Sequence, residues 1–227
     1  MHAGHGQVIE LSSEGGNTQA RIACPANLIP APGQYLLAGS ASPLDPLPVP
    51  LFSTESTPFG FTAAPPVPSA WMPGTNLSLR GPLGRGFTLP HTARKVALIP
   101  FDDDASRLRG LMVPSLNQGA AVVLLGDSDM GNLPDAVEVQ PFTALEEVLA
   151  WAEYAAFDVL RESLPGLSKR LGGSNWAAAG KEAQVLVQTP IPCGGIGECA
   201  VCAVTFKSGW KLACKEGPVF DWEEVFA

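Results

Sequence analysis

The segment PCGGIGECAVCAVTFKSGWKLACKEGPVFDWEEV, residues 192–225, holds four of the chain's five cysteines: Cys193, Cys199, Cys202 and Cys214. Their spacing is C-x5-C-x2-C-x11-C. The close pair Cys199 and Cys202 falls on one turn. Cys193 approaches from a glycine-rich loop, and Cys214 returns after a hairpin predicted over AVTFKSGWKLA, residues 203–213. Four thiolates can hold a [2Fe–2S] cluster, two per iron. Gly194, Gly195 and Gly197 are expected to take positive φ and bring backbone N–H groups close to sulfur. The rival is a structural zinc site with four cysteine ligands. Zinc ribbons usually carry two close pairs, however, and only one pair is close in this sequence.

The rest of the chain bounds what such a centre could serve. It has 227 residues, a hydrophobic content of 46% and a net charge of -8. That balance argues against nucleic acid, whose phosphates call for a basic surface. No apolar run approaches the roughly 18 to 20 residues of a membrane span. The start, MHAGHGQVIE, has neither the basic nor the apolar region of a signal peptide, so a cytoplasmic location is expected. In that compartment clustered cysteines bind metal or do redox work.

Of the 22 prolines, 15 lie between Pro25 and Pro100, a density that helices cannot accommodate. QVIEL, TQARIAC, GQYLLAG, NLSLRG and GFTLP read as short strands, with EGGN a hairpin turn between the first two. Residues 1–92 are therefore expected to form a small antiparallel β-barrel. Beyond Thr92 the pattern changes. KVALIPF, GAAVVLLGD, AVEVQPF and EAQVLVQT are apolar runs suited to buried parallel strands. ASRLRGLMVPSLNQG reads as a poor helix interrupted by Pro114. TALEEVLAWAEYAAFDVLRESLPG, residues 143–166, reads as one long helix. Thr143 and Glu146 would form its capping box, and Pro165 would end it. Leu145, Val148, Leu149, Ala152, Ala156, Val159 and Leu160 would form its apolar face. Trp151, Tyr154 and Phe157 would lie on the other side, covered by a second element or facing a partner. Residues 93–189 are thus expected to be an α/β parallel-sheet domain, and residues 190–227 a segment too short for a core of its own without a metal staple.

CGGIGECAVC followed by ACKEGPVFDWEEV resembles the C-terminal [2Fe–2S] segment of the electron-transfer subunit of type B dihydroorotate dehydrogenase, in the ferredoxin–NADP reductase superfamily. PGQY, residues 32–35, and GPLGRGF, residues 81–87, are similar to that family's barrel motif and barrel-closing loop. The resemblance implies a two-domain fold, β-barrel plus α/β, ending in the cluster segment. It makes Cys193, Cys199, Cys202 and Cys214 the cluster ligands. It also implies an FAD that NADH reduces, and a hetero-oligomer with an FMN-containing dihydroorotate dehydrogenase catalytic subunit, a flavoprotein of pyrimidine biosynthesis.

Two departures limit what carries over. The flavin signature is replaced by PLFS, residues 50–53. Phe52 and Ser53 suit a ring contact and a hydroxyl contact, with barrel core the plainer role for Phe52. Pro50, however, stands where an arginine would grip a flavin phosphate. The glycine-rich dinucleotide turn is replaced by FDDDASRLRG, residues 101–110. Asp102, Asp103 and Asp104 would cap the following helix and repel a pyrophosphate. LGGSNWAAAG, residues 171–180, stands in place of the nicotinamide motif and reads as a loop. FAD is therefore in doubt and NAD is not expected. The expectation is a subunit that relays single electrons to or from a flavoprotein without oxidising NADH itself. The alternatives are a structural or regulatory subunit that kept only the fold, and an FAD-containing NADH-linked reductase. No catalytic constellation is found. His2, His5 and His91 lie outside the cysteine cluster, the first two in an expected frayed terminus. Glu198, if beside the cluster, should lower its potential. Cys24 reads as a small buried residue.

Overall fold

The computed structural model describes residues 2–14, 17–40, 47–102, 104–127, 131–171, 181–207 and 209–226. Six strands close a barrel: β1 (His2–Glu14), β2 (Asn17–Ala23), β3 (Tyr35–Ser40), β4 (Val49–Thr57), β5 (Gly60–Ala63) and β6 (Asn76–Leu83), in the order β1-β2-β5-β4-β3-β6. Alternation builds it. Leu77 and Leu79 of β6 point inward, whereas Asn76 and Ser78 are exposed. Val8, Ile22, Leu36, Leu51, Phe61 and Trp71 fill the interior, together with Cys24 as expected. Two expectations fail. The N-terminus is not frayed: β1 starts at His2 and pairs with β6 from His2↔Gly81 to Gln7↔Asn76, which ties its backbone down. GFTLP forms no strand; Gly86 packs against the Pro32 carbonyl, and the Phe87 N–H donates to it at 2.9 Å. The β1–β2 ladder closes at Glu14↔Asn17, as the hairpin requires, while its turn lies outside the described residues.

A second, mostly parallel sheet follows in the order β14-β11-β10-β7-β8-β9. Its strands are β7 (Lys95–Pro100), β8 (Ala121–Leu125), β9 (Val137–Gln140), β10 (Tyr154–Leu160), β11 (Glu182–Gln188) and the antiparallel β14 (Val219–Asp221). The helix predicted over residues 143–166 is the largest error. Helix is confined to its two ends, α2 (Leu145–Trp151) and the start of α3 (Leu164–Leu171). Ala152 turns the chain to extended backbone, and YAAFDVL becomes the central strand β10. From Tyr154 to Val159 this run is buried on both faces, so its hydrophobicity has no period that would separate strand from helix. Tyr154 and Phe157 point to opposite faces of the sheet, into separate cores, and form no partner-facing strip. The capping box does not form, because Ala144 precedes α2 without a side-chain cap. Pro165 lies in the first turn of α3 (Leu164–Leu171), where its missing N–H costs nothing. Pro114 likewise sits early in the short α1 (Met112–Asn117) and does not interrupt it.

The C-terminal segment forms the predicted hairpin, β12 (Ala203–Phe206) with β13 (Gly209–Leu212). It then returns to the sheet as β14, beside β11, and ends in α4 (Trp222–Phe226). One continuous core joins Tyr35 and Leu37 of the barrel to Phe157 and Val185 of the sheet. The same core takes in Cys202, Val204, Phe206, Cys214 and Phe220 of the segment. The fully buried Phe220 side chain alone contributes roughly 1.5–3 kcal/mol of hydrophobic stabilisation.

Candidate metal centre

The four cysteines meet as two pairs. Cys193 and Cys199, in the loop before β12, are in side-chain contact near the surface, and Cys199 is exposed. Cys202 and Cys214 are in contact in the interior, at opposite ends of the β12–β13 hairpin. The Ala213 N–H donates to the Cys202 carbonyl at 3.1 Å and holds those ends together. Among the described residues no three His, Cys, Asp or Glu donors converge as they would on a single metal ion. Two pairs of thiols are the donor set of a binuclear cluster, two thiolates per iron.

The loop geometry explains the glycines. Gly194, Gly195 and Gly197 all have positive φ, between +66° and +76°. The conformation turns the backbone N–H groups of Gly197, Glu198 and Ile196 onto the Cys193 sulfur. Burial raises that thiol, but these hydrogen bonds and the contact with Cys199 outweigh it and bring Cys193 down to about 6. In the inner pair, burial and then the neighbouring thiols push Cys214 up to about 12. Cys193 thus gives up its proton readily while Cys214, crowded by its neighbouring thiols, holds its own. A metal supplies positive charge and deprotonates coordinating thiols. The donor set and the N–H cradle therefore fit an iron–sulfur cluster.

The barrel holds this loop through Tyr35 and Arg80. The Tyr35 hydroxyl donates to the Cys214 carbonyl at 2.9 Å. The Arg80 guanidinium donates to the Gly194 carbonyl. A Cβ on Gly195 would lie 2.7 Å from the Tyr35 oxygen, so only glycine lets the loop approach so closely. The two halves of the resemblance also meet in space. Arg85 of GPLGRGF bridges to Pro218 of KEGPVF and pairs with Asp221 at 2.7 Å. PGQY supplied the clue to Tyr35; nothing in the sequence placed Arg80 against a residue 114 positions away.

PLFS and FDDDASRLRG are the segments at the flavin and dinucleotide positions that the resemblance implies. A cavity of about 480 Å³ lies between barrel and sheet, lined by Pro50, Phe52, Pro66, Arg107, Gln188 and Thr189 among others. It has room for a flat ring. Phe52 borders it, half-buried, with the Arg107 guanidinium 5.6 Å from its ring centre, so it is not simply barrel core. Arg107 is spent internally, however. It pairs with Asp104 at 2.9 Å and Asp158 at 3.5 Å and donates to the Pro65 carbonyl at 3.1 Å. The β5–β6 connection contains no helix, and Pro65, Pro66, Pro68 and Pro73 in it offer no N–H. The groups present do not fit a flavin diphosphate, which needs cations or a row of amide donors.

Open parallel sheets bind ligands where strand order reverses, between β7 and β10 in this chain. Asp102 spans that crevice, accepting from the Leu160 N–H at 2.7 Å and the Ser163 hydroxyl at 2.6 Å. Asp104 accepts from the Ser106 N–H at 3.0 Å. Neither caps α1, contrary to expectation, because that helix starts only at Met112; Asp103 and residues 172–180 lie outside the described residues. Carboxylates fill the position that a pyrophosphate would need. His2, His5 and His91 are exposed and stand apart from all these groups.

Residues 191–226 match the family described as the iron–sulfur cluster binding domain of dihydroorotate dehydrogenase B. The chain is 28% identical over 177 residues to the dihydroorotate dehydrogenase B (NAD(+)) electron transfer subunit of Desulforamulus reducens, covering 68% of this chain and 67% of that one. Among solved structures, the NADH-dependent reduced ferredoxin–NADP oxidoreductase has a similar fold, with a TM-score of 0.73 at 16% identity over 96% of this chain and 88% of that one. Phthalate dioxygenase reductase gives 0.55 at 9% identity over 76% and 65%. The chain thus has a ferredoxin-reductase-like fold, is similar to dihydroorotate dehydrogenase B electron-transfer subunits, and carries in residues 191–226 that family's iron–sulfur cluster binding domain.

Proposed function

We propose that this chain is a one-electron relay: Cys193, Cys199, Cys202 and Cys214 hold a [2Fe–2S] cluster that exchanges electrons with a flavoprotein partner. The observation that carries this is the two-and-two meeting of the cysteines beneath a loop whose N–H groups point at sulfur. The cluster, when bound, supplies the one-electron chemistry. The chain's own residues do the rest. The inner pair is fixed by the hairpin and by Tyr35, which excludes water from that side. The outer pair stays at the surface, where a partner can approach. The partner the resemblance implies is the FMN-containing catalytic subunit of a dihydroorotate dehydrogenase, in pyrimidine synthesis. Residues 1–92, 93–189 and 190–227 act as barrel, degenerate dinucleotide domain and cluster segment. A cytoplasmic setting suits the free thiols.

The test is anaerobic purification with metal and sulfide analysis. About two irons and two sulfides per chain are expected, with an electron-spin signal on reduction that Cys202→Ser or Cys214→Ser abolishes. Stoichiometric zinc without sulfide would overturn the proposal and leave a structural staple. A flavoprotein that co-purifies and accepts the cluster's electron would identify the partner.

A further inference from the structure

Arg80 is the residue of the barrel whose placement barrel architecture does not explain. β6 alternates, with Leu77 and Leu79 inside and Asn76, Ser78 and Arg80 outside. Asn76 and Ser78 are exposed, as outward positions should be, but Arg80 is half-buried because the cysteine loop lies over it. Its guanidinium donates to the Gly194 carbonyl, one residue from Cys193. A Cβ on Gly194 would lie 3.2 Å from the guanidinium and 3.9 Å from Leu37, the cross-strand partner of Arg80 on β3. Beside it the Tyr35 hydroxyl donates to the Cys214 carbonyl at 2.9 Å, and a Cβ on Gly195 would lie 2.7 Å from its oxygen. Among the described residues no carboxylate pairs with Arg80.

We infer that Arg80 is an electrostatic tuning residue that raises the reduction potential of the cluster centre. The inference rests on the cluster proposal above. A cluster held by four thiolates gains one negative charge on reduction. A fixed cation facing it from a partly desolvated position stabilises the reduced form more than the oxidised one. Guanidinium keeps its charge at every accessible pH and is weakly hydrated, which suits a half-buried site. The other nearby cation, Lys215, has its stem against Gly197, but the residue is exposed and screened by water. Glu198 is exposed as well, so its opposing effect is screened in the same way.

The experiment is a redox titration of the purified full chain, followed by electron-spin resonance, for wild type, Arg80→Gln and Arg80→Lys, with iron and sulfide measured in each. In Arg80→Gln the cluster is expected at wild-type content with the reduced-to-oxidised ratio at fixed poise lowered about tenfold, a fall of 59 mV for one electron. Arg80→Lys is expected to recover most of that shift. An unchanged or raised midpoint in a fully loaded Arg80→Gln would overturn the inference. So would equal shifts in Gln and Lys, which would assign the effect to geometry. If Arg80→Gln fails to load, Arg80→Met takes its place. Failure of both neutral variants to load, while Arg80→Lys loads, would make Arg80 a structural tie and also overturn the inference. Absence of iron and sulfide from the wild type would instead remove the cluster proposal beneath it.

Discussion

Asp158 is an acid held by partners distant in the sequence. It lies fully buried near the end of β10, with the Gln188 amide donating to one carboxylate oxygen at 2.7 Å and Arg107 3.5 Å from the other. Burial outweighs the ion pair and the hydrogen bond and raises it from 3.8 to about 6. An acid whose folded pKa stands above its unfolded value favours folding while it is protonated. That contribution is complete below about pH 4 and lost above about pH 6. Stability should therefore fall as pH rises through this window. In Asp158→Asn the fall should largely disappear, which urea unfolding at pH 4, 5, 6 and 7 will show. Equal pH slopes in the two proteins would contradict the assignment. The two-and-two pairing of the cysteines and the positive φ of their glycines were legible from C-x5-C-x2-C-x11-C and the residues between. The contacts of Arg80 with Gly194 and of Arg107 with Asp158 and Pro65 were not, because they join residues far apart in the sequence.

At the level of elements, β10 and β14 teach the most. YAAFDVL has the length of a strand and the composition of either state, and its Ala156, Val159 and Leu160 fall at helical spacing from Leu145, Val148, Leu149 and Ala152. Burial on both faces removed the periodicity that would have told the two apart. β14 was quoted as part of the cysteine segment, yet it is the edge strand of the neighbouring sheet and seats Phe220 in the shared core. Phe220 packs on Phe206 with ring centres 4.9 Å apart, so the sheet edge and the cysteine hairpin are one packing unit. Phe220→Ala should cost about 3–5 kcal/mol, and it should lower cluster content although the position is six residues past Cys214. Thermal unfolding and iron analysis check the two effects. Lost stability with full iron content would show that the hairpin is independent of the sheet.

For the whole molecule, the fold is a ferredoxin-reductase-like barrel plus α/β sheet, and the groups at its two candidate diphosphate positions do not suit a diphosphate. Pro50 and the proline-rich β5–β6 connection offer neither charge nor donors at one; Asp102 stitches β7 to β10 at the other. The purified protein is accordingly expected to carry iron and sulfide with less than stoichiometric flavin. FAD fluorescence should show no saturable quenching on titration with the protein, and NADH should not bleach the cluster. One tightly held FAD per chain would show that the cavity between barrel and sheet suffices without phosphate contacts.

The sequence by itself determined the local chemistry: four thiols at cluster spacing, glycines where φ must be positive, prolines that force strands, and apolar runs that build a parallel sheet. These are properties of neighbours along the chain, and short-range sterics and hydrophobic periodicity suffice to read them. Only the tertiary structure decided what those parts face. It put a buried run at the sheet centre, brought GPLGRGF onto KEGPVF and set Tyr35 and Arg80 against the cysteine loop. It also turned Arg107, Asp104 and Asp158 toward one another. The physical reason is that burial and charge pairing depend on distances in space, which closing the barrel and completing the sheet fix together.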